Sequence, residues 1–258
     1  MANLSSSNET SSWLPTCVPI WSRLNRRNAA GKQRNLPLSK LNKYDIEIED
    51  RLWSVWGNLH PEAPVFEHLL RGRQYLAINV MACCAASVYN LMDWSAQLLD
   101  TIVVSGHKYF QQSIRNLKRK DFEFALEYLN TNCALESFKF VVHIERVCYG
   151  KLYRVPAFNR MNLSEALIYF FNHFQFGIVM VRKRALAIGF CQGPFGGYFM
   201  FDCQEKDHPL FPKQQGASYL LRTRHLQVLL YCLVVTLNVK MMNVDFSIHK
   251  VEVLRRGE

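Results

Sequence analysis

The sequence predicts an α+β domain in which a buried helix and further helical segments pack on an antiparallel sheet. Three observations indicate this class. Gly72–Asn90 is small and apolar at helical spacing, the second half of the chain consists of short apolar runs separated by turn residues, and 49% of all residues are hydrophobic. A chain of 258 residues is long enough to bury one substantial core.

The helix expected within Gly72–Asn90 is the element around which the rest is arranged. Its small residues recur at helical spacing among larger apolar ones, so neighbouring backbone can approach it closely. We expect it to be buried on most of its surface. The Gly72-Arg73-Gln74 lead-in places Tyr75 in the first helical turn, where unbonded backbone N–H groups and the positive end of the helix dipole point outward.

A second helix is expected to begin near Asp93-Trp94-Ser95, where the Ser95 side chain can cap it. Its apolar stripe continues to Phe110. Gly106 interrupts this stripe, which predicts a bend or the end of the helix.

The second half of the chain reads as strands with one helix between them and one near the end. Phe138–Tyr149 is predicted to be a strand that turns at Gly150-Lys151 into Leu152–Val155. Asn162 and Glu165 are spaced as a capping box for a short helix with Leu167, Ile168, Phe170 and Phe171 on its buried face. The remaining predictions are strands at Phe176–Val181, Ala185–Phe190, Tyr198–Asp202, Ser218–Leu221 and Asp245–Val253, and a helix at Leu226–Val234.

Residues 1–43 are predicted to form an arm without a core of its own, leaving 44–258 as a single domain. The arm is rich in Ser, Pro and basic residues, and the span from Trp21 to Tyr44 contains no acidic residue. A solvated tail is the simplest interpretation, and weak binding to nucleic acid or to an acidic surface is the alternative. The candidate partner-binding residues in it are Trp13, Trp21, Arg23, Arg26 and Arg27.

The eight cysteines show no Cys-x-x-Cys pair or zinc-like spacing, which favours free thiols in a reducing compartment. The N-terminus lacks the features of a secretory signal, and the longest apolar run, Val228–Leu237, is about half of a membrane span. We therefore expect a protein of the cytoplasm, with the nucleus or a cytoskeletal assembly as alternatives, and no membrane contact.

Over residues 51–237 the order of motifs resembles the herpesvirus tegument-type ubiquitin-specific cysteine protease domain and its cellular relatives. The matching features are Leu52-Trp53 and Trp56-Gly57 before a loop, Gly72-Arg73-Gln74 before a buried helix, Trp94 with Leu99-Asp100 and Gly106 on the next helix, and Tyr198–Asp202 at the end of a strand. The resemblance implies a papain-like fold.

The resemblance also implies where the reacting groups should lie. The family requires a Cys directly after the Gln of the lead-in and an Asp-x-His at the end of the strand. Here these positions hold Tyr75, Asp202 and Gln204, so only the aspartate is retained. The family's oxyanion donor would fall near Pro61, which has no donor group. We expect the Tyr75 phenol to fill the vacated cleft and to bond to Asp202 or Gln204.

An active site could be rebuilt only from other residues. Cys83, Cys84 or Cys203 with His208 is the arrangement that remains open. The other histidines are scattered without a metal-ligand pattern, so we expect no metal and no cofactor.

The sequence therefore predicts a catalytically inactive relative of a ubiquitin-specific cysteine protease, acting as a protein-binding or structural scaffold module of a larger assembly. Its partner would be a ubiquitin-like protein or a component of that assembly. The competing prediction is an active or residual cysteine-type deubiquitinase with a rearranged site.

Overall fold

The computed structural model describes residues 44–115, 124–153, 160–204, 217–237 and 243–256. These residues form one mixed sheet and four α-helices. In chain order the elements are β1 (Asp45–Ile48), β2 (Leu52–Trp56), α1 (Tyr75–Val88), α2 (Ala96–Arg115), β3 (Asn132–Leu135), β4 (Phe138–Lys151), β5 (Met161–Asn162), α3 (Leu163–His173), β6 (Phe176–Val181), β7 (Arg184–Cys191), β8 (Gly197–Asp202), β9 (Tyr219–Thr223), α4 (Leu226–Leu237) and β10 (Asp245–Arg255).

The strands lie in the order β1-β2-β9-β8-β7-β6-β10-β4-β3, with the short β5 beside β4. Every pair is antiparallel except β4 with β5. The last strand, β10, is inserted between β6 and β4, so the C-terminal strand lies inside the sheet and not at its edge. The α+β class and the antiparallel sheet are confirmed.

The sheet separates two hydrophobic cores. Successive residues of a strand point to opposite faces, and Ile178 belongs to the core under α1 and α2 whereas Val179 belongs to the core under α3 and α4. Helices therefore cover both faces of the sheet, and β6 and β7 are apolar on both sides.

Helix α1 is buried along most of its length, as predicted. Every residue from Leu76 to Ala85 is fully buried. Thiols contact the backbone at both ends of the helix: Cys191 donates to the Ala86 carbonyl at 3.8 Å, and Cys203 donates to the Tyr75 carbonyl at 3.7 Å. Small side chains allow this close packing against α2 and the sheet.

The prediction of a bend or helix end at Gly106 is wrong. Helix α2 continues through Gly106 to Arg115. A Cβ at this position would lie 2.5 Å from the Ile78 Cα of α1. The glycine is thus required by the close approach of the two helices and not by a turn.

The predicted hairpin at Gly150-Lys151 is also wrong, because β4 continues through both residues. A Cβ on Gly150 would lie 1.9 Å from the Met161 carbonyl oxygen, so the glycine makes room for β5 beside β4. Beyond the strand, the Leu152 N–H donates to the Val244 carbonyl at 2.9 Å.

The predicted N-terminal caps of two helices are found in the structure. Ser95 Oγ accepts from the Leu98 N–H at 3.3 Å, and Asn162 with Glu165 forms the predicted capping box at the start of α3. On that helix Leu167 and Phe170 are buried, but Ile168 is 51% exposed and its assignment to the buried face is wrong.

Some predictions lie outside the described residues: the arm 1–43 with Trp13, Trp21, Arg23, Arg26 and Arg27, and also His208. Within the part of the chain that is described, no helix is long and apolar enough to cross a membrane.

Candidate functional site

The N-terminus of α1 meets the end of β8. Cys203, which follows β8, has its sulfur 3.7 Å from the Tyr75 carbonyl oxygen and 3.7 Å from Asn79 Nδ2. Tyr75 is the first residue of the helix, as the sequence predicted. The structure thus brings Tyr75 next to the segment that contains Asp202 and Gln204.

The lead-in to α1 is shaped by Gly72 and Pro61. Gly72 has a φ of +74°, and a Cβ there would lie 1.8 Å from Glu62 Oε1. The Pro61 carbonyl accepts hydrogen bonds from the Gly72 N–H at 3.2 Å and from Gln74 Nε2 at 2.7 Å. Pro61 therefore presents an acceptor to the helix start, whereas stabilisation of an oxyanion requires donors.

Gln74 lies fully buried immediately before Tyr75. Its Nε2 donates to the Pro61 carbonyl, and its Oε1 has no hydrogen-bond partner among the described residues. His60, 9% exposed, likewise has an Nδ1 without a partner in the described part of the chain. Buried polar atoms of this kind carry a desolvation cost that a functional contact or a bound water would relieve.

Asp202 is fully buried at the end of β8. Its Oδ1 accepts from the Gln204 N–H at 2.9 Å. Asp202 pairs with Tyr219 across β8 and β9, and burial followed by the Asp202 charge raises the pKa of the Tyr219 phenol. The Gln204 side chain donates from Nε2 to the Lys183 carbonyl at 3.4 Å. A bond from the Tyr75 phenol to Asp202 or Gln204 stays a prediction.

The sequence profile of the herpesvirus tegument protein N-terminal conserved region matches residues 56–256. This match covers most of the chain. The chain belongs to this herpesvirus tegument family.

A solved structure supports the fold of this tegument domain. The ubiquitin-specific protease encoded by a murine cytomegalovirus tegument protein, crystallised with a ubiquitin-based suicide substrate, aligns with a TM-score of 0.63 and 14% sequence identity. The alignment covers 80% of this chain and 88% of that one. No curated protein matches the sequence. The predicted papain-like fold is confirmed.

The thiols on α1 of the tegument domain are poorly placed for catalysis. The Cys83 sulfur lies 3.7 Å from the Gly177 carbonyl oxygen, and burial raises the pKa of this thiol. The Cys84 and Cys133 sulfurs are 3.7 Å apart, and this hydrogen bond together with burial raises the pKa of Cys84. A nucleophilic cysteine requires a lowered pKa and access to solvent, so neither α1 thiol suits that role.

Two histidines of the tegument domain have pKa values lowered by burial. The His107 ring lies 4.5 Å from the Phe66 ring, and burial lowers the pKa of His107. Burial, followed by the nearby Arg146 charge, lowers the pKa of His249 to about 4. In the described ranges no group of three His, Cys, Asp or Glu residues is placed to hold a metal ion.

One surface of the tegument domain could not be found from the sequence. Arg146 and Arg160 both lie over the Tyr149 ring, with their guanidinium carbons 5.8 and 5.7 Å from its centroid. Their separation in sequence has no helical or strand periodicity. Only the pairing of β5 with β4 brings the two arginines together.

Proposed function

We propose that this tegument domain is a catalytically inactive member of its family and acts as a protein-binding or structural module of a larger assembly inside the cell, in the cytoplasm. The observation that carries the proposal is Tyr75 at the N-terminus of α1. The family resemblance requires a cysteine there, because the helix dipole stabilises a thiolate. A phenol with an ordinary pKa of about 10 is a poor nucleophile at neutral pH.

The surroundings of Tyr75 support the proposal. The carbonyl of Pro61 faces the lead-in where a donor would be needed, and Gln204 stands where the resemblance requires a histidine. A carboxamide does not take up a proton in the physiological range, so it cannot act as a general base. Joint loss of the nucleophile, the general base and the oxyanion donor is expected when catalysis is no longer selected.

Two versions of the partner are compatible with this proposal. The domain could retain recognition of a ubiquitin-like protein without cleavage, or it could serve as a rigid component of an assembly. We favour the second version, because a groove without reacting groups has no evident constraint to keep its substrate. The basic residues 21–43 offer a further attachment point for it.

A ubiquitin vinyl sulfone probe tests the loss of catalysis. Such a probe forms a covalent bond only with an activated thiol near the ubiquitin tail. We expect no labelling of the full chain. Labelling that disappears in Cys83→Ala, Cys84→Ala or Cys203→Ala would overturn the proposal and establish the alternative, a cysteine-type deubiquitinase with a rearranged site.

The double variant Tyr75→Cys/Gln204→His separates the two versions of the partner. It restores a thiol and an imidazole at the positions that the resemblance assigns, with Tyr75→Ala/Gln204→His as the matched control without the thiol. We expect no labelling of either variant. Labelling of the cysteine variant alone would show that the groove still accepts ubiquitin.

A pull-down with and without residues 1–43 tests the role of the arm. If the arm is the attachment point, its deletion abolishes capture of the partner. Unchanged capture would assign partner binding to residues 44–258 and reject the arm.

A further inference from the structure

Among the described residues, β4 has no strand partner on its outer edge between β3 and β5. On one side β4 pairs with β10 over its whole length from Phe140 to Lys151. On the other side β3 pairs only with Phe138–Val141, and β5 only with Gly150 and Lys151. Within the described part of the chain, the intervening residues 143–149 have no ladder partner on this side. They present roughly 20 Å of strand edge, at about 3.3 Å per residue.

Basic side chains surround the end of this edge. We call Arg146, Lys151 and Arg160 the basic rim. Arg146 and Arg160 flank Tyr149, whose side chain is 59% exposed. Lys151 Nζ lies 3.1 Å from Asp245 Oδ1, and Arg160 lies 4.0 Å from the same oxygen. The rim thus has three cations and shares a single carboxylate.

Two acidic groups near the other end of the edge share one cation. Glu145, which lies on the open edge, pairs with Lys250 Nζ at 3.0 Å, and the same ammonium pairs with Glu252 at 2.9 Å. One ammonium between two carboxylates leaves a net charge of −1 there, whereas the three rim cations and Asp245 leave +2 at the Tyr149 end, so the positive field is confined to the end that carries the rim. An unpaired strand edge and a positive field recruit the same kind of ligand, an extended and acidic chain.

We propose that an acidic, extended segment of a partner protein adds as a strand to the open edge of β4 and places carboxylates on the basic rim. This inference rests on the proposed function only in taking the partner to be a protein. Backbone hydrogen bonds to residues 143–149 align the segment, and the guanidiniums of Arg146 and Arg160 hold carboxylates in bidentate pairs.

The rim favours an acidic peptide over a single-stranded nucleic acid. Nucleic acids gain much of their affinity from bases stacked on exposed aromatic rings. Tyr149 is the aromatic residue at the rim, and its ring is already in contact with both arginines. Carboxylates need only the outward N–H groups of those guanidiniums.

The bound segment would lie side by side with β4, at the end of a row of paired residues that crosses the sheet to the candidate site. Tyr149 pairs with Ser247, Ser247 with Met180, and Met180 with Ala185, and this row continues on β8 towards Cys203. Four strand spacings of about 4.8 Å give roughly 19 Å between Tyr149 and Cys203. The β6–β7 turn, whose Lys183 carbonyl accepts from Gln204, lies along the way.

Fluorescence anisotropy with a labelled heptapeptide of alternating Thr and Glu tests the inference on the full chain. The rim variant is Arg146→Ser/Lys151→Ser/Arg160→Ser. The matched control removes the same charge from exposed positions elsewhere, as Arg51→Ser/Lys108→Ser/Arg115→Ser. We expect the rim variant to bind about tenfold more weakly and the control to change less than about twofold, because the rim contacts are local and distant charges are screened.

A second arm uses the unchanged protein, so that its result does not depend on the folding of a variant. A version of the peptide N-methylated at alternate residues keeps its charge but loses donors for the strand ladder. We expect it to bind about tenfold more weakly, as loss of one to two backbone hydrogen bonds predicts. Equal binding of both peptides would overturn strand addition.

Two further outcomes would overturn the inference. Equal loss in the rim and control variants would show that net charge or the arm binds the peptide. Rim-dependent binding of a 20-nucleotide oligo-dT tighter than that of the peptide would identify a nucleic acid as the ligand. Labelling by ubiquitin vinyl sulfone tests the proposed loss of catalysis and does not affect the peptide-binding measurements. Failure of the proposed function can therefore be distinguished from failure of the strand-addition inference.

Discussion

The side chain of Asn79 on α1 accepts a hydrogen bond from the Ala187 N–H on β7 at 2.7 Å. Its Nδ2 donates to the Ala185 carbonyl at 3.2 Å and to the Tyr75 carbonyl at 2.9 Å. One buried carboxamide thus joins the first turn of the helix to the sheet, and it fixes where Tyr75 stands relative to β7.

Asn79→Ala is therefore expected to lower the free energy of unfolding by about 2–4 kcal/mol, because it leaves the buried Ala187 N–H unpaired and opens a cavity. Chemical denaturation measured by circular dichroism checks this. Asn132→Ala, at an exposed position, is the control and should change stability by less than about 0.5 kcal/mol. Similar losses in both variants would contradict the role of Asn79.

Gly106→Ala is expected to destabilise the domain by about 2 kcal/mol, although alanine is the better helix former by about 1 kcal/mol. The added methyl would lie 2.5 Å from the Ile78 Cα, a backbone atom that cannot move without separating α1 from α2. Thermal unfolding measures the effect. Ser105→Ala, one position earlier on α2, should be neutral or slightly stabilising, and a stabilised Gly106→Ala would show that the helices are not in close contact.

Cys83 and Cys84 are expected to resist alkylation by iodoacetamide at pH 8 in the folded protein. Burial raises the pKa of the Cys83 thiol, and the hydrogen bond with Cys133 together with burial raises that of Cys84, so little thiolate forms at either. Peptide mass spectrometry after a timed reaction locates the modified cysteines. The same reaction in guanidinium chloride provides the fully modified reference. Rapid labelling of either α1 thiol under native conditions would contradict their burial.

Stability should fall as the pH is lowered from 6.5 to about 4, and His249 should contribute to this loss. Burial, followed by the Arg146 charge, lowers the pKa of His249 from 6.5 to about 4, so in that window the unfolded chain binds a proton that the folded chain rejects. Because the ring is only partly buried, the contribution is about 1–2 kcal/mol.

His249→Gln should therefore reduce the slope of unfolding free energy against pH in this window, while His143→Gln, at an exposed position, should leave it unchanged. Denaturation midpoints at several pH values give the slope. His107, whose pKa is also lowered by burial, keeps part of the dependence in both variants. An unaltered slope in His249→Gln would contradict the assignment.

Elements with a local signal could be predicted from the sequence. The small-residue pattern of α1, the capping box at Asn162 and the strand–turn–strand run from Phe176 to Asp202 all depend on neighbours in the chain, and each is found in the structure. The placement of Tyr75 at the helix start followed from the same local reasoning.

Features that depend on contacts distant in the chain could not be predicted. From the sequence, Gly106 predicts a helix bend or end and Gly150 a hairpin turn, because a sequence does not show that Ile78 or the Met161 carbonyl lies against them. The insertion of β10 between β6 and β4 is equally invisible, and with it the open edge of β4. Whether the tegument domain has lost catalysis is decided by the probe experiment above.

The division of the interior into two cores also determines the order in which parts of the domain unfold during hydrogen exchange. Strands β6 and β7 are covered on both faces, so their amide hydrogens can exchange with solvent only when both layers separate from the sheet. Among the described strands, β1 and β3 lie at the two ends of the sheet and have a neighbour on one side only. Deuterium uptake should therefore advance from the two margins inward, with residues 178–181 and 185–188 the last to exchange and reporting the stability of the whole domain.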